Sequence, residues 1–337
     1  MSVYNSNLMK IIVENLVSIL ETDHEKLKSI LEKKYQFRVE GYQYVASYKR
    51  GHWDGFKKFF QKTTGKFGTG LLSYIIYDLE VGNIKYEIED KRKSINIKDY
   101  TISSIEYRDY QKQLIEKALK EKGCIIQAPT GSGKTVVLAG ILKALEGKTG
   151  LIIFNKKQLV HQTYEFLTKH GFDVGVAFGE GVDIKPVTLC TVQSIDKVLD
   201  THLKHSEFII FDEVHEFSKG KLATKVIKSF PKAQFRIGMT ATVPTDKIAK
   251  LNLISALGPV IKEVEASDLV ELGFLTKPKI HILPAPSVTL EDDDSYFEVY
   301  RKSITENDLR NQMITTLFGN FKEKPSKTFT RFFEARR

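Results

Sequence analysis

Between residues 105 and 275, short and nearly unbroken apolar runs recur, separated by longer stretches with helical spacing. The runs are Cys124-Ile125-Ile126, Leu151-Ile152-Ile153-Phe154, Val187-Thr188-Leu189-Cys190, Phe208-Ile209-Ile210-Phe211 and Arg236-Ile237-Gly238-Met239. Runs of this kind suit strands buried on both faces, and their alternation with helical patterns predicts a parallel α/β sheet. A polar or glycine-bearing segment follows each: the 128–135 loop, Asn155-Lys156, Thr191, Asp212-Glu213 and Thr240-Ala241-Thr242. In an open parallel sheet those points gather along one edge, where ligands bind.

The flanks differ in rhythm. Residues 1–100 predict a small α+β accessory domain, with a helix from Asp23 to Lys34 that places Leu27, Ile30 and Leu31 on one face. Strands are expected from Leu71 to Tyr77 and from Ile84 to Ile88, and a polar linker from Asp90 to Asp99. The α/β domain occupies residues 101–275. From residue 276 a third segment begins, with an extended, proline-containing connection from Thr276 to Pro286. A long amphipathic helix is predicted from Tyr296 to Phe321, followed by a polar, basic tail to residue 337.

Composition narrows the classes. No apolar run reaches the ~20 residues that span a bilayer, and Lys10, Glu14 and Asn15 interrupt the Leu8 to Leu20 stretch. A membrane anchor is therefore not expected. The chain has two cysteines, Cys124 and Cys190, with no CxxC spacing. They read as buried thiols of a reducing compartment, which excludes a disulfide scaffold and a zinc site. The expected location is cytoplasmic, the host cytoplasm if the gene is a phage's. A net charge of +9 and a pI near 9.2 favour polyanionic partners.

Chemistry concentrates in two places. Ala128-Pro129-Thr130-Gly131-Ser132-Gly133-Lys134-Thr135 follows an expected strand and opens a helical pattern from Val136 to Leu145. That is the context of a Walker A phosphate loop. Gly131 and Gly133 let backbone N–H groups of Thr130 to Gly133 turn inward, and the helix N-terminus adds positive potential. Lys134 is placed for the β- and γ-phosphates of ATP, and Thr135 for Mg²⁺. Ala128 stands where the usual pattern has glycine. Asp212-Glu213-Val214-His215 follows the fourth run. Asp212 is a candidate Mg²⁺ ligand and Glu213 a candidate to orient the attacking water. Read singly, the first segment is a glycine-rich turn and the second a solvated strand end; paired, they define a nucleotide site.

The pairing of GSGKT with Asp-Glu-x-His resembles superfamily 2 helicases of the DExH type. The resemblance implies a RecA-like P-loop NTPase domain using ATP and Mg²⁺. It carries over further positions. Arg108 and Gln111, in Tyr107-Arg108-Asp109-Tyr110-Gln111, match an adenine-recognition segment. Gln162 lies in a segment that touches the nucleic-acid backbone, although Asn155-Lys156 replaces the usual Pro-Thr. Thr191, Gln193 and Ser194 match a second backbone-binding motif. Thr240 and Thr242, with His215, match the motif that couples hydrolysis to movement. Each of these has an ordinary reading alone; Thr-x-Gln-Ser, for example, is a common helix cap.

The family also has a second RecA-like domain with an arginine-finger motif. No such motif is found here, so the second domain is expected to be essentially missing. The resulting expectation is a truncated, frameshifted or fragment chain, weak alone unless another polypeptide completes the cleft.

The segment from Arg38 to Lys66 interleaves bases, among them Lys49, Arg50, Lys57 and Lys58, with the aromatics Tyr42, Tyr44, Tyr48, Trp53, Phe56, Phe59 and Phe60. Bases suit phosphates, while the aromatics suit either base stacking or a small core. Gly51-His52-Trp53-Asp54-Gly55 and Phe67-Gly68-Thr69-Gly70-Leu71-Leu72 resemble the accessory domain of the phage UvsW-like recombination helicases. That likeness implies sequence-nonspecific action on branched or duplex DNA in recombination and repair: fork regression, branch migration, or R-loop unwinding with RNA in the hybrid. Two other classes compete: a non-enzymatic DNA-binding module with ATP as structural ligand, and a small-molecule kinase. The adenine, Thr-x-Gln-Ser and Thr-Ala-Thr segments argue against the kinase.

Overall fold

The computed structural model describes residues 9–320 apart from 180, 203–204, 219–225, 278–283, 285, 287 and 292. The chain divides into two compact units, Met1–Thr276 and Lys277–Arg337.

The first unit opens with a hairpin of β1 (Met9–Val13) and β2 (Val17–Glu21). A helix follows at Glu25–Lys34. It starts after His24, whose Nδ1 accepts the Leu27 N–H at 3.1 Å and so caps the first turn. The expected helix is present with Leu27 and Leu31 buried, but Ile30, expected on the same face, is 53% exposed. A two-stranded ribbon pairs β3 (Gln36–Arg38) with β4 (Phe56–Lys58). With β5 (Lys66–Gly68) and β6 (Tyr86–Asp90), the hairpin builds a small sheet in the order β5-β2-β1-β6.

The strand expected from Leu71 to Tyr77 is instead a helix, Leu72–Val81. Leu71, Ile75 and Leu79 recur every four residues and are all fully buried. That period belongs to one helical face, and it outweighs the dense apolar content that suggested a strand.

The second sheet of this unit carries β7 (Gly123–Gln127), β8 (Gly150–Phe154), β9 (Gly175–Phe178), β10 (Gly181–Asp183), β11 (Val187–Thr191), β12 (Phe208–Phe211), β13 (Phe235–Thr240) and β14 (Val260–Ile261). Their order is β10-β9-β11-β8-β12-β13-β7-β14, and every pairing except β9 with β10 is parallel. The five strands predicted from apolar runs are the contiguous centre of this sheet. The three that were not predicted are β9 and the edge strands β10 and β14, which are short and at most half-buried and so need no continuous apolar run.

The two sheets meet at a seam. A Cβ on Gly70 would lie 1.8 Å from the Ile254 carbonyl oxygen, in the last turns of the helix Lys247–Leu257. A Cβ on Gly68 would lie 2.1 Å from Ser255 Oγ. Only glycine permits so close a backbone approach. Beside the seam, the buried Arg236 guanidinium donates to Ala256 O (2.9 Å), Ser229 O (3.2 Å), Phe230 O (3.3 Å) and Ile227 O. Burial lowers its pKa to about 9, and the ring of carbonyls satisfies its donors.

In the second unit, the single helix expected from Tyr296 to Phe321 is broken. A helix at Tyr296–Tyr300 runs into a wide turn at Arg301–Thr305, and a new helix starts at Asp308–Asn320. Buried Asn307 makes the break: its Oδ1 accepts the Arg310 N–H at 2.9 Å, and its Nδ2 donates to Pro286 O at 3.1 Å. An asparagine cap of this kind begins a helix and does not continue one. Most of the expected Thr276 to Pro286 connection, Phe321 and the basic tail lie outside the described residues. No helix among the described residues is long and apolar enough to cross a membrane.

Candidate active site

Loop 128–133 leaves the end of β7, and Lys134 opens the helix Lys134–Ala144. Gly131 and Gly133 have φ of 83° and 82°, a left-handed conformation that favours glycine. At Gly133 a side chain is also barred by space, because a Cβ would sit 2.5 Å from Gln111 Nε2. The alanine at 128 is accommodated: it is buried, and its N–H donates to Thr240 O at 3.0 Å.

The loop is held from behind. Gln111 Nε2 and the Tyr110 hydroxyl both donate to Ser132 O, at 2.9 Å and 2.6 Å. Arg108 Nη1 donates to the Tyr110 hydroxyl at 2.9 Å, and the guanidinium carbon lies 3.7 Å from the Phe274 ring centroid. Gln111 Oε1 also accepts the Arg108 N–H at 3.0 Å. Gln111 therefore meets the phosphate loop directly, and Arg108 meets it through Tyr110, a residue to which the sequence reading gave no role. Phe274 and Leu275, the latter beside Gly131, were likewise not anticipated. They are distant in sequence, and no local spacing announces them.

Inside the loop, Ser132 Oγ is buried without a hydrogen-bond partner. A buried hydroxyl left so costs roughly 1–3 kcal/mol, which an anionic oxygen in the loop would recover. Lys134 Nζ donates to Ala128 O at 3.2 Å and lies 3.9 Å from Glu213 Oε1. Thr130 is exposed and Thr135 half-buried.

Asp212 and Glu213 follow β12, two strands from β7. Burial, followed by the Glu213 charge, raises the Asp212 carboxyl to about 6, while Lys134 opposes the rise. Glu213 has φ of 48°, an uncommon conformation for a non-glycine residue. Its Oε2 lies 3.3 Å from His215 Nδ1, and that nitrogen lies 2.8 Å from Thr240 Oγ1. The Thr240 hydroxyl donates to Thr242 O at 2.8 Å and accepts the Thr242 N–H at 3.1 Å. With that hydrogen committed to Thr242 O, His215 Nδ1 must be the donor to Thr240. One continuous polar chain thus links Lys134, Glu213, His215, Thr240 and Thr242.

Other expected positions are less converged. Thr191 and Ser194 are buried, and the Thr191 hydroxyl donates to Ser194 Oγ at 3.1 Å. Gln193 and Gln162 are exposed. Asn155, at the position where the family's usual proline is missing, donates to Glu216. In the accessory region Lys49 and Arg50 are exposed, whereas Lys58 pairs with Asp54 at 3.1 Å and Glu32 at 3.7 Å. The aromatics divide: Phe59 and Phe60 are core, Trp53 Nε1 donates to Phe56 O, and Tyr44 is 77% exposed.

Among the described residues no group of three or more His, Cys, Asp or Glu side chains is arranged for a metal. Asp212 and Thr135 alone suit a cation such as Mg²⁺, which takes one or two protein oxygens and keeps water and phosphate for the rest. The arrangement as a whole places an ammonium, a carboxylate and the start of a helix around the glycine loop, a setting suited to a polyphosphate with its cation, although the Ser132 N–H is spent on Pro129 O at 3.2 Å.

A parallel sheet with this loop, acidic strand end and polar chain is the arrangement of a RecA-like domain, as in superfamily 2 helicases. Known proteins agree with it. The family described as type III restriction enzyme, res subunit, matches residues 104–245. The DNA 3'-5' translocase XPB2 of Sulfurisphaera tokodaii is 31% identical over 230 residues, covering 65% of this chain and 50% of that protein. The ATP-dependent DNA helicase uvsW of Enterobacteria phage T4 is 23% identical over 329 residues, covering 88% of this chain and 65% of that one. A crystal structure of the T4 UvsW helicase superposes with a TM-score of 0.61 at 18% identity, over 76% of this chain and 99% of that one, a likeness of fold. The chain thus resembles the superfamily 2 helicases and translocases, the phage helicase UvsW among them. It spans about half the length of the translocase and less than two thirds of the phage helicase.

Proposed function

We propose that this chain is the ATP-binding motor half of a DNA helicase or translocase, with ATP and Mg²⁺ held by Lys134, Thr135 and Asp212. The observation that carries the reading is the unbroken chain from Lys134 through Glu213 and His215 to Thr240 and Thr242. A charge change at a γ-phosphate would act first on Lys134 and Glu213, and through His215 it would reach the segment after β13. Bound Mg²⁺ would neutralise developing charge on the phosphates. Glu213 would orient a water in line with them, and Arg108, stacked on Phe274, would flank the base.

Gln162, Gln193 and the exposed Lys49 and Arg50 are the proposed backbone contacts, and contacts of that kind carry no sequence preference. A second RecA-like domain, from further sequence or a separate polypeptide, would close over the nucleotide and raise the rate. The likeness to UvsW supports branched DNA as the substrate.

The test is ATP turnover with and without a forked duplex, beside Lys134→Ala. The expected result is turnover stimulated by the fork and lost in the variant. Fork binding with no turnover would instead support a binding module that uses ATP as a structural ligand.

A further inference from the structure

At the seam between the two sheets lies a cleft of about 280 Å³, floored by Val17, Phe59 and Phe67. It is also lined by Lys57 of the β3–β4 ribbon, Lys66 of β5 and Lys228 from the segment between β12 and β13. Among the described residues, no carboxylate lines it. Lys58 also reaches it, but its charge is answered by Asp54 and Glu32. Lys57, Lys66 and Lys228 form no ion pair among the described residues. Desolvation and then the Lys57 charge lower the Lys228 pKa, so the two ammonium groups feel each other across the seam.

Three unanswered cations around a partly apolar cleft repel one another. Like charges held together in this way are stabilised by an anion between them. The seam is also built without slack, since Gly68 beside the cleft touches Ser255 through its backbone.

We infer that this cleft is a phosphate-binding site, and that its occupant is a phosphodiester of a nucleic-acid backbone crossing from the small sheet to the parallel sheet. The inference rests on the nucleic-acid reading above and adds a defined contact at the seam, with Lys228 and Lys66 joining Lys57. Its size suits one phosphate with part of its sugar, and its floor tolerates any base.

The test uses the full chain and a labelled duplex, with binding measured from about 50 to 200 mM salt. Removal of one lysine–phosphate interaction should flatten the log–log salt dependence by about 0.9. Lys57→Ala with Lys228→Ala is expected to flatten it by one to two and to weaken binding by roughly tenfold at the lower salt. Lys120→Ala with Lys250→Ala, which removes the same charge away from the cleft, is expected to change the slope by less than half as much. Lys57→Arg with Lys228→Arg is expected to retain the slope, which separates removal of the cations from misfolding.

An unchanged slope in the alanine pair, or an equal change in the control pair, overturns the site. Tripolyphosphate binding in a Lys134→Ala background decides the source of the phosphate: its loss in the cleft variants with duplex binding intact would assign a soluble polyphosphate and overturn the backbone assignment. A wild-type chain that binds no duplex at all would sink the functional reading as well, a result distinct from the others.

Discussion

Asp212 carries the most legible cost in the molecule. A carboxyl whose folded pKa is raised from 3.8 to about 6 binds its proton more tightly when folded than when unfolded. Its penalty on folding is absent below about pH 4, grows between about 4 and 6, and is complete above that. In metal-free buffer Asp212→Asn is therefore expected to stabilise the chain at pH 7.5 by roughly 1–3 kcal/mol and to change little at pH 4. Thermal melts at the two pH values check this, and the same substitution is expected to abolish ATP hydrolysis. Tyr110 makes the opposite case: its hydroxyl is a support and not a load. Tyr110→Phe removes the 2.6 Å bond to Ser132 O and the acceptor for Arg108. A loss of about 1 kcal/mol of stability is expected, together with weaker nucleotide binding in a fluorescence titration.

At the level of elements, the Gly68-Thr69-Gly70 stretch has a physical reason that its sequence alone did not reveal. Both glycines lie directly against the end of the helix Lys247–Leu257. Gly70→Ala is expected to force the sheets apart or strain the helix, at a cost of roughly 1–3 kcal/mol in urea unfolding. Gly147→Ala is a useful comparison: no atom would meet its Cβ, although its φ of 85° carries its own strain.

The central strands were readable because burial on both faces demands unbroken apolar runs. The edge strands β10 and β14 and the neighbouring β9 were not, since each is only two to four residues long and none is fully buried. Leu71 to Tyr77 misled because an apolar-rich stretch resembles a strand until its period of four, set by Leu71, Ile75 and Leu79, is counted. The break at Asn307 was hidden because a buried asparagine cap depends on Pro286, a partner 21 residues away.

Over the whole molecule, the candidate site was legible where chemistry is local and silent where it is assembled. Ser132, Lys134, Asp212 and Glu213 lie in two short motifs that can be picked out from the chain alone. Tyr110, Phe274 and Leu275 reach the same loop only through the fold, and the Lys57–Lys228 cleft joins residues 171 positions apart in the chain. The residues around the nucleotide loop all fall between 108 and 275, inside the unit Met1–Thr276. A chain ended after Thr276 is therefore expected to fold and to keep the nucleotide affinity of the longer one, measured by the same titration.

The claim on which the account depends is that Lys134 and Asp212 face one bound triphosphate. Isothermal titration of the chain with a nonhydrolysable ATP analogue, with Mg²⁺ and then with a chelator, tests it most directly. The account predicts one saturable site that needs the cation and is weakened at least about tenfold, or ~1.4 kcal/mol, by Lys134→Ala. Equal affinity in wild type and Lys134→Ala, with or without Mg²⁺, would contradict it.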